Sequence, residues 1–110
     1  MNKLIIIGNL TGNPQSRIVN TDSGVKCVCS FTVAVNRTVR GERTAEYFRV
    51  NCWGKQAENA MKYLEKGKSV AALGAVSARA YIGGDGKLRA SLEVSADEIK
   101  YLGLERQDEQ

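Results

Sequence analysis

Apolar and polar residues alternate along two long stretches of this chain, and the alternation predicts β-strands. Throughout residues 25–36 an apolar or cysteine side chain stands at every second position, and residues 46–53 repeat the pattern. Because successive side chains of a strand point to opposite faces, each stretch is expected to be a strand with one buried face. In the second stretch the expected inward side chains are Phe48, Val50 and Cys52, and the outward ones are Tyr47, Arg49, Asn51 and Trp53.

Shorter apolar runs between turn-forming residues predict the remaining strands. These are residues 4–10, continued after an interruption by 15–19, and residues 69–82, 87–94 and 98–102. Gly83–Gly86 is expected to be a hairpin tip, and Gly74 is expected to mark a bend or bulge, because glycine in a strand interior has no side chain to pack. Residues 37–45, between the two alternating stretches, are polar, carry three arginines and are predicted to form a loop.

One segment changes from the period of a strand to that of a helix. In residues 55–66 the apolar side chains at 57, 60, 61 and 64 form one stripe on a helix of about three turns, and Gly67 is expected to cap it. The chain is therefore predicted to be all-β, with one short α-helix between its third and fourth strands. That layout favours a five-stranded OB-fold barrel over a sandwich, and a βαβ fold would need several helices.

The size and charge of the chain limit the classes of function that it can have. The chain has 110 residues and a mass of 12.0 kDa, the size of one domain. It contains no histidine, which excludes Ser-His-Asp and Cys-His catalysis and histidine zinc ligands. Residues 1–100 carry 15 Lys and Arg against 9 Asp and Glu, a net charge of +6, whereas residues 101–110 carry −2. The basic body permits a polyanionic partner such as a nucleic acid.

Two features bear on the cellular compartment. The three cysteines, Cys27, Cys29 and Cys52, are odd in number and have no CxxC spacing, so we expect them to be small buried side chains in a reducing compartment. The apolar run at the N-terminus is too short for a signal-peptide core or a membrane span. A cytoplasmic location without a membrane partner is therefore expected.

Aromatic and arginine side chains alternate on two of the predicted outward faces. Tyr47 and Trp53 flank Arg49 on one strand. Arg79 and Tyr81 lie two residues apart on another. Aromatic rings stack on unpaired bases at about 1–3 kcal/mol per base with little regard to base identity, and cationic groups track the phosphates. A single-stranded nucleic acid is therefore the favoured partner, and the alternative is that the rings pack against a partner subunit.

Two enzyme-like patterns do not meet the requirements of their chemistry. Gly67-Lys68-Ser69 resembles the end of a phosphate-binding loop, but it follows a helix and lacks the earlier glycine of that loop. Asp85, Glu98 and Lys100 resemble the acidic pair and lysine of a metal-dependent nuclease, but no feature of the sequence brings them together. We expect no enzyme activity, no catalytic residue, no metal and no cofactor.

Three segments carry a resemblance to a known family: Leu4–Leu10 (LIIIGNL), Phe31–Arg37 (FTVAVNR) and Tyr47–Glu58 (YFRVNCWGKQAE). Through them the chain resembles the bacterial single-stranded DNA-binding proteins. The resemblance implies an OB-fold DNA-binding domain over residues 1–103, a homotetramer built as a dimer of dimers, and sequence-independent wrapping of single-stranded DNA. It leaves residues 104–110 as a short acidic C-terminal end that is expected to be disordered.

The resemblance also assigns roles to residues. The stacking positions of the family fall on Tyr47, Trp53 and Tyr81, and Val39 stands where members usually have a further aromatic residue. Phosphate contacts are expected from the basic side chains Arg37, Arg40, Arg43, Arg49, Lys55, Arg79, Lys87 and Arg89. The implied function is non-enzymatic protection of single-stranded DNA in replication, recombination and repair, or in DNA uptake, at the bacterial nucleoid.

Stacking and charge leave two alternatives open. The same surface would suit single-stranded RNA, because neither property tests for the 2′-hydroxyl group. It would also suit an OB-fold module that binds another protein.

The C-terminus departs from the pattern of the family. Members usually continue into a flexible linker and an acidic tip that ends in Pro-Phe and recruits other genome-maintenance proteins, whereas this sequence stops at Asp108-Glu109-Gln110. We expect either a truncated member or a natural tail-less paralogue, and we do not extend partner recruitment to this chain.

Overall fold

Residues 1–103 form six β-strands and one α-helix in the computed structural model, which describes only that part of the chain. The strands are β1 (Leu4–Leu10), β2 (Gln15–Thr21), β3 (Gly24–Val39), β4 (Glu42–Trp53), β5 (Ser69–Ile82) and β6 (Leu88–Leu102). The helix, α1 (Gly54–Tyr63), lies between β4 and β5. The acidic C-terminal end predicted at residues 104–110 lies outside the described residues.

The strands close into a ring. Hydrogen-bonded neighbours follow the order β1-β5-β6-β4-β3-β2, and a further pairing joins β1 to β3, with Asn9 opposite Ala34 and Leu10 opposite Val33. Five strands therefore form a closed barrel, and β2 extends it as the hairpin partner of β3. β1 and β2 both pair with β3 and are the two segments of the interrupted first strand, so six labelled segments make five strands of the barrel. The predicted five-stranded barrel with one helix after its third strand is confirmed.

Two glycines lie where strands of the barrel approach each other closely. A Cβ atom at Gly8 would overlap the carbonyl oxygen of Ala34, at the point where β1 meets β3. A Cβ atom at Gly74 would overlap the carbonyl oxygen of Ser95, and the β5–β6 register shifts between Leu73 and Gly74. The bend or bulge expected at Gly74 is therefore confirmed.

The interior of the barrel is apolar, and α1 packs its buried residues against it. The alternation of β4 assigned its inward side chains correctly, because Phe48, Val50 and Cys52 are all buried. The other core residues are Ile6, Leu10, Cys29, Phe31, Val33, Val70, Ala72, Val94, Ala96 and Ile99 of the barrel, with Ala57, Ala60 and Leu64 from the helix and the residue after it. Within residues 1–103 no buried side-chain nitrogen or oxygen lacks a hydrogen-bond partner.

The alternation of β3 is less regular than the sequence predicts. Val25, which the pattern places inside, is exposed, because this end of β3 extends past β4 and pairs only with β2. Val28, which the pattern places outside, is buried between the strands on either side, opposite Arg17 and Trp53. Long side chains at cross-strand positions can cover a smaller side chain that points outward.

Two predicted boundaries are wrong. Residues 87–94 and 98–102 belong to one strand, β6, because a bulge at Asp97 lets pairing with β5 continue on both sides of it. The helix ends at Tyr63, and Leu64 follows it in an extended conformation. Gly67 is therefore not the helix cap, and its N–H instead donates to the carbonyl of Leu10 at 2.9 Å.

The loop predicted at residues 37–45 is mostly strand. β3 and β4 remain paired as far as Val39 opposite Glu42, which leaves Arg40 and Gly41 as a two-residue turn. Both turn residues have a positive φ, 52° and 81°, as a type I′ hairpin turn requires. The arginines on either side of the turn are consequently held on paired strands.

Candidate nucleic-acid interface

Side chains that point away from the barrel on β3, β4, β5 and β6 form one continuous surface, here named the outer face. Its members are Ser30 and Thr32 of β3, Tyr47, Arg49, Asn51 and Trp53 of β4, Ser77, Arg79 and Tyr81 of β5, and Arg89, Ser91 and Glu93 of β6. Arg49 lies near the middle, opposite Thr32 on one side and Glu93 on the other. Because side chains alternate along a strand, the aromatic rings and the arginines lie on the same side of the sheet.

All three predicted stacking residues lie on the outer face with much of each ring accessible. Tyr47, Trp53 and Tyr81 are 59%, 42% and 47% exposed. Tyr47 and Trp53 lie about 20 Å apart along β4, at about 3.4 Å per residue. Tyr47 and Tyr81 come from different strands but line one groove of about 390 Å³, together with Ser91. The fold thus brings two of the three rings to a single cleft.

Trp53 owes its orientation to the junction between β4 and α1. Its own backbone is extended, with φ −132° and ψ 158°. Gly54 follows with φ 63°, a left-handed conformation that glycine adopts without steric cost. The chain therefore turns into the helix directly after the tryptophan, and the indole remains on the outer face. Lys55, in the first turn of α1, has a side chain that is 82% exposed.

A chain of hydrogen bonds crosses the outer face from β3 to β5. The hydroxyl group of Ser30 donates to Oδ1 of Asn51 at 2.6 Å, and Nδ2 of Asn51 donates to Oε1 of Glu93 at 3.2 Å. Arg79 completes the chain, because its Nη1 donates to Oε2 of Glu93 at 3.4 Å. These hydrogen bonds link the side chains of β3, β4, β6 and β5, and the carboxylate of Glu93 accepts two of them.

Half of the eight predicted phosphate-binding side chains have a carboxylate partner. The pairs are Arg37 with Glu46 at 2.8 Å, Lys55 with Glu58 at 4.0 Å, Arg79 with Glu93 at 3.4 Å, and Arg89 with Asp85. No carboxylate of residues 1–103 lies within 4.0 Å of the other four, which are Arg40, Arg43, Arg49 and Lys87. Arg49 lines a small polar pocket of about 140 Å³ with Gln15 and Thr32.

The structure separates some of the predicted basic residues from the rings. Arg37 pairs with Thr44 in the strand register and therefore projects from the side of the β3–β4 hairpin opposite to Tyr47. Arg43 projects from the same side as Tyr47, and Arg40 lies in the turn. The basic side chains therefore reach both sides of this hairpin.

The tip between β5 and β6 holds Lys87 and Arg89. Asp85 accepts hydrogen bonds from the backbone N–H of Lys87, at 3.1 Å, and from the Arg89 guanidinium. These hydrogen bonds lower the pKa of Asp85 below its usual value of 3.8. The carboxylate is consequently ionised at neutral pH beside an arginine of the outer face.

Sequence reasoning missed the polar residues between the rings. The alternation of β4 placed Asn51 outward without a role, and Ser30 and Glu93 had no assignment. The signal for Glu93 was present, since Arg89, Ser91 and Glu93 are spaced by two on one strand. That spacing gave Glu93 no role, because the sequence does not show that β6 lies beside β4, where Glu93 is opposite Arg49.

Two other kinds of feature are absent from the described part of the chain. Residues 1–103 contain no group of three or more Cys, Asp and Glu side chains placed to hold a metal ion. No helix within these residues is long and apolar enough to cross a membrane.

A closed five-stranded barrel with one helix, and with exposed rings and basic side chains across one face, defines an OB-fold of the kind that binds nucleic acid strands. A family model described as "Single-strand binding protein family" matches residues 1–102. The chain belongs to this family.

Individual relatives agree with that assignment. Single-stranded DNA-binding protein 1 of Clostridium acetobutylicum is 37% identical over 110 residues, which cover 97% of this chain and 98% of the relative. Single-stranded DNA-binding protein 1 of Staphylococcus aureus is 40% identical over 112 residues, which cover 99% of this chain and 70% of the relative. The crystal structure of the small single-stranded DNA-binding protein from Streptomyces coelicolor matches with a TM-score of 0.68 at 23% identity, over 94% of this chain and 95% of that one. This structural likeness shows the fold.

Proposed function

We propose that this protein binds single-stranded DNA without recognising a sequence motif and protects it during replication, recombination and repair, or during DNA uptake. The observation that carries the proposal is that the exposed rings of Tyr47, Trp53 and Tyr81 lie among arginines on one face of the barrel. Rings in such a position stack on unpaired bases of any sequence. Family membership and the names of the relatives support the same function.

The proposed roles of the side chains follow from their positions on and around the outer face. The three rings stack bases, and Arg40, Arg43, Arg49 and Lys87 contact phosphates directly. The four paired side chains, Arg37, Lys55, Arg79 and Arg89, contact phosphate in exchange for their carboxylate partners. The protein acts as a binder and not as an enzyme, residues 1–103 are the DNA-binding unit, and it works in the cytoplasm at the nucleoid.

The proposal can be tested by fluorescence, because Trp53 is the only tryptophan of the chain. Titration with poly(dT) at low salt should quench its emission as bases stack on the indole. Unchanged emission together with unchanged anisotropy of a labelled oligo(dT) would contradict the function. A matched competition of poly(U) against poly(dT) separates DNA from RNA, and equal competition would favour RNA as an equivalent ligand.

We further propose that the protein forms a homotetramer, a dimer of dimers. Strand β1 pairs with β5 from Leu4 to Asn9 but with β3 only at Asn9 and Leu10, so most of its other edge is unpaired. Ile5 and Ile7 on this strand are 66% and 61% exposed, and Ile5 lines an apolar groove with Leu73. An unpaired edge beside exposed apolar side chains is a suitable surface for pairing with a second copy.

Sedimentation velocity tests the assembly. Ile5→Lys should lower the sedimentation coefficient by dissociating subunits, because a buried ammonium group is costly. Ile18→Lys is the matched control, since Ile18 is equally exposed at 68% but lies on β2. If Trp53→Ala dissociates the oligomer and leaves oligo(dT) affinity unchanged, the rings serve protein contacts instead of DNA.

A further inference from the structure

The sheet extends beyond Trp53, the last member of the outer face on β4, because β3 continues there and pairs with β2. Trp53 is opposite Val28 on β3, and Val28 is opposite Arg17 on β2, so the three residues form one row across the sheet. The Cα atoms of Arg17 and Trp53 are therefore about 10 Å apart, two strand spacings. Val28 points outward but is only 2% exposed, which is consistent with cover by the two long side chains beside it.

A second basic residue lies on the same side of the β2–β3 hairpin. Lys26 is two residues from Val28 along β3, so it points in the same direction as Val28 and Arg17. Side chains in this diagonal relation across an antiparallel pair lie about 7–8 Å apart. Arg17 and Lys26 are both exposed, and no carboxylate of residues 1–103 lies within 4.0 Å of either. They form a pair of adjacent cations that no acidic side chain of this part of the chain neutralises.

The surroundings of this pair differ from those of the arginines on β5 and β6. Arg79 and Arg89 each contact a carboxylate. In the hairpin the only carboxylate from residue 15 to residue 30 is that of Asp22, which lies in the turn between β2 and β3. Arg17 and Lys26 can therefore contact a phosphate without first giving up an acidic partner.

A DNA strand that stacks on Tyr47 and then on Trp53 follows β4, and at Gly54 the protein chain turns into α1. Beyond this point the sheet continues only through β3 and β2. We propose that Arg17 and Lys26 bind phosphates of the strand where it leaves Trp53, so that the β2–β3 hairpin extends the DNA path. The inference rests on the proposed function, because it concerns the strand that stacks on Trp53.

The experiment measures the affinity for oligo(dT) at a series of NaCl concentrations by fluorescence anisotropy. Arg17→Gln and Lys26→Gln should each make the slope of log affinity against log salt concentration shallower by about 0.7, the contribution of one phosphate on a single strand. Arg17→Lys should keep the wild-type slope, because it keeps the charge. Lys62→Gln is the matched control, since it removes one cation from the last turn of α1 and should leave the slope unchanged.

The slope separates phosphate binding from mere support of the indole. If Arg17 only covers Val28 and holds Trp53 in place, Arg17→Gln lowers the affinity alike at every salt concentration and leaves the slope as in the wild type. An unchanged slope in either variant would overturn the phosphate role of that residue. A thermal melt of each variant confirms folding, and Lys26→Gln keeps the test decisive if Arg17→Gln does not fold.

A second arm uses the wild-type protein and locates the contact directly. Lysines are acetylated with a water-soluble N-hydroxysuccinimide ester, with and without saturating oligo(dT), and each site is quantified by mass spectrometry. DNA should protect Lys26 several-fold and leave Lys62 as reactive as in the free protein. Protection of Lys87 without protection of Lys26 would remove the hairpin from the DNA path and leave the proposed function intact. Failure of the wild-type protein to bind oligo(dT) would instead overturn the proposed function.

Discussion

Tyr47 and Tyr63 show how differently two exposed tyrosines are placed in this protein. Tyr47 is 59% exposed and lines the groove that it shares with Tyr81. Tyr63 is 42% exposed, but its ring centroid lies 5.5 Å from that of Tyr101 and 5.3 Å from the Lys62 ammonium. Exposure alone therefore does not identify a stacking residue, because an open ring face is also required.

Removal of the Tyr47 ring should weaken DNA binding, and removal of the Tyr63 ring should not. Tyr47→Ala is expected to lose about 1–3 kcal/mol of binding free energy, the contribution of one stacked base. Tyr47→Phe should stay close to wild type because the ring is retained. The measurement is the dissociation constant for oligo(dT), with a thermal melt of each variant to confirm folding. An equal loss for Tyr63→Ala would show that the effect is not local stacking.

The three cysteines differ in their surroundings although they share two adjacent strands. Cys29 and Cys52 are opposite each other and fully buried, whereas Cys27 is partly accessible. A hydrogen bond with the Cys29 side chain and burial both raise the pKa of the Cys52 thiol, so Cys52 stays protonated at pH 8. Alkylation requires an accessible thiolate.

Iodoacetamide should therefore label at most one thiol of the native protein at pH 8, and that thiol should be Cys27. All three should react in denaturant. Mass spectrometry of the labelled peptides gives both counts. Labelling of Cys52 in the native protein would contradict the buried position of this strand pair.

At the scale of elements, the barrel is held closed by the contact of β1 with β3. The pairing is only two residues long, at Asn9 and Leu10, and Gly8 lies directly beside it. A side chain at Gly8 would meet the backbone of Ala34, which cannot move away without breaking the β3 ladder. The closure therefore depends on the absence of one methyl group.

Gly8→Ala should destabilise the protein by about 1–3 kcal/mol, the usual cost of overpacking. Gly12→Ala is the control, because a Cβ atom there meets nothing within 4 Å. It should change the free energy of unfolding by no more than about 0.5 kcal/mol. Urea denaturation measures both values, and equal stabilities of the two variants would show that β1 can shift to accommodate the methyl group.

The sequence predicted the existence of the strands and the helix better than their boundaries and pairing. The period-two pattern of β4 placed Phe48 and Trp53 on the correct faces because a half-buried strand imposes that period. The bulge at Asp97 left no such pattern, because one extra residue inverts the alternation and makes a single strand resemble two. The position of Glu93 beside Arg49 was beyond prediction from the residues, because it depends on the parallel pairing of β4 with β6.

At the scale of the whole molecule, the number of basic side chains overstates the positive charge that is free to bind DNA. Four of the eight basic residues assigned to phosphate binding already contact a carboxylate. Under the proposed function, each of these would contact phosphate in exchange for its carboxylate partner. It would then contribute less than a full unit of charge neutralisation on DNA binding. The salt dependence of binding should therefore depend on the acidic residues as well as on the basic ones.

Two single substitutions should change the salt dependence in opposite directions. Each phosphate neutralised on a single strand contributes a slope of about −0.7 to the plot of log affinity against log salt concentration. Arg43→Gln removes an unpaired charge and should make the slope shallower by about 0.7, whereas Asp85→Asn frees Arg89 and should make it steeper by up to about 0.7. Lys62→Gln, at the last turn of α1, should leave the slope unchanged. Titrations with oligo(dT) at a series of NaCl concentrations measure all three, and a shallower slope for Asp85→Asn would mean that the carboxylate positions Arg89 for phosphate instead of competing for it.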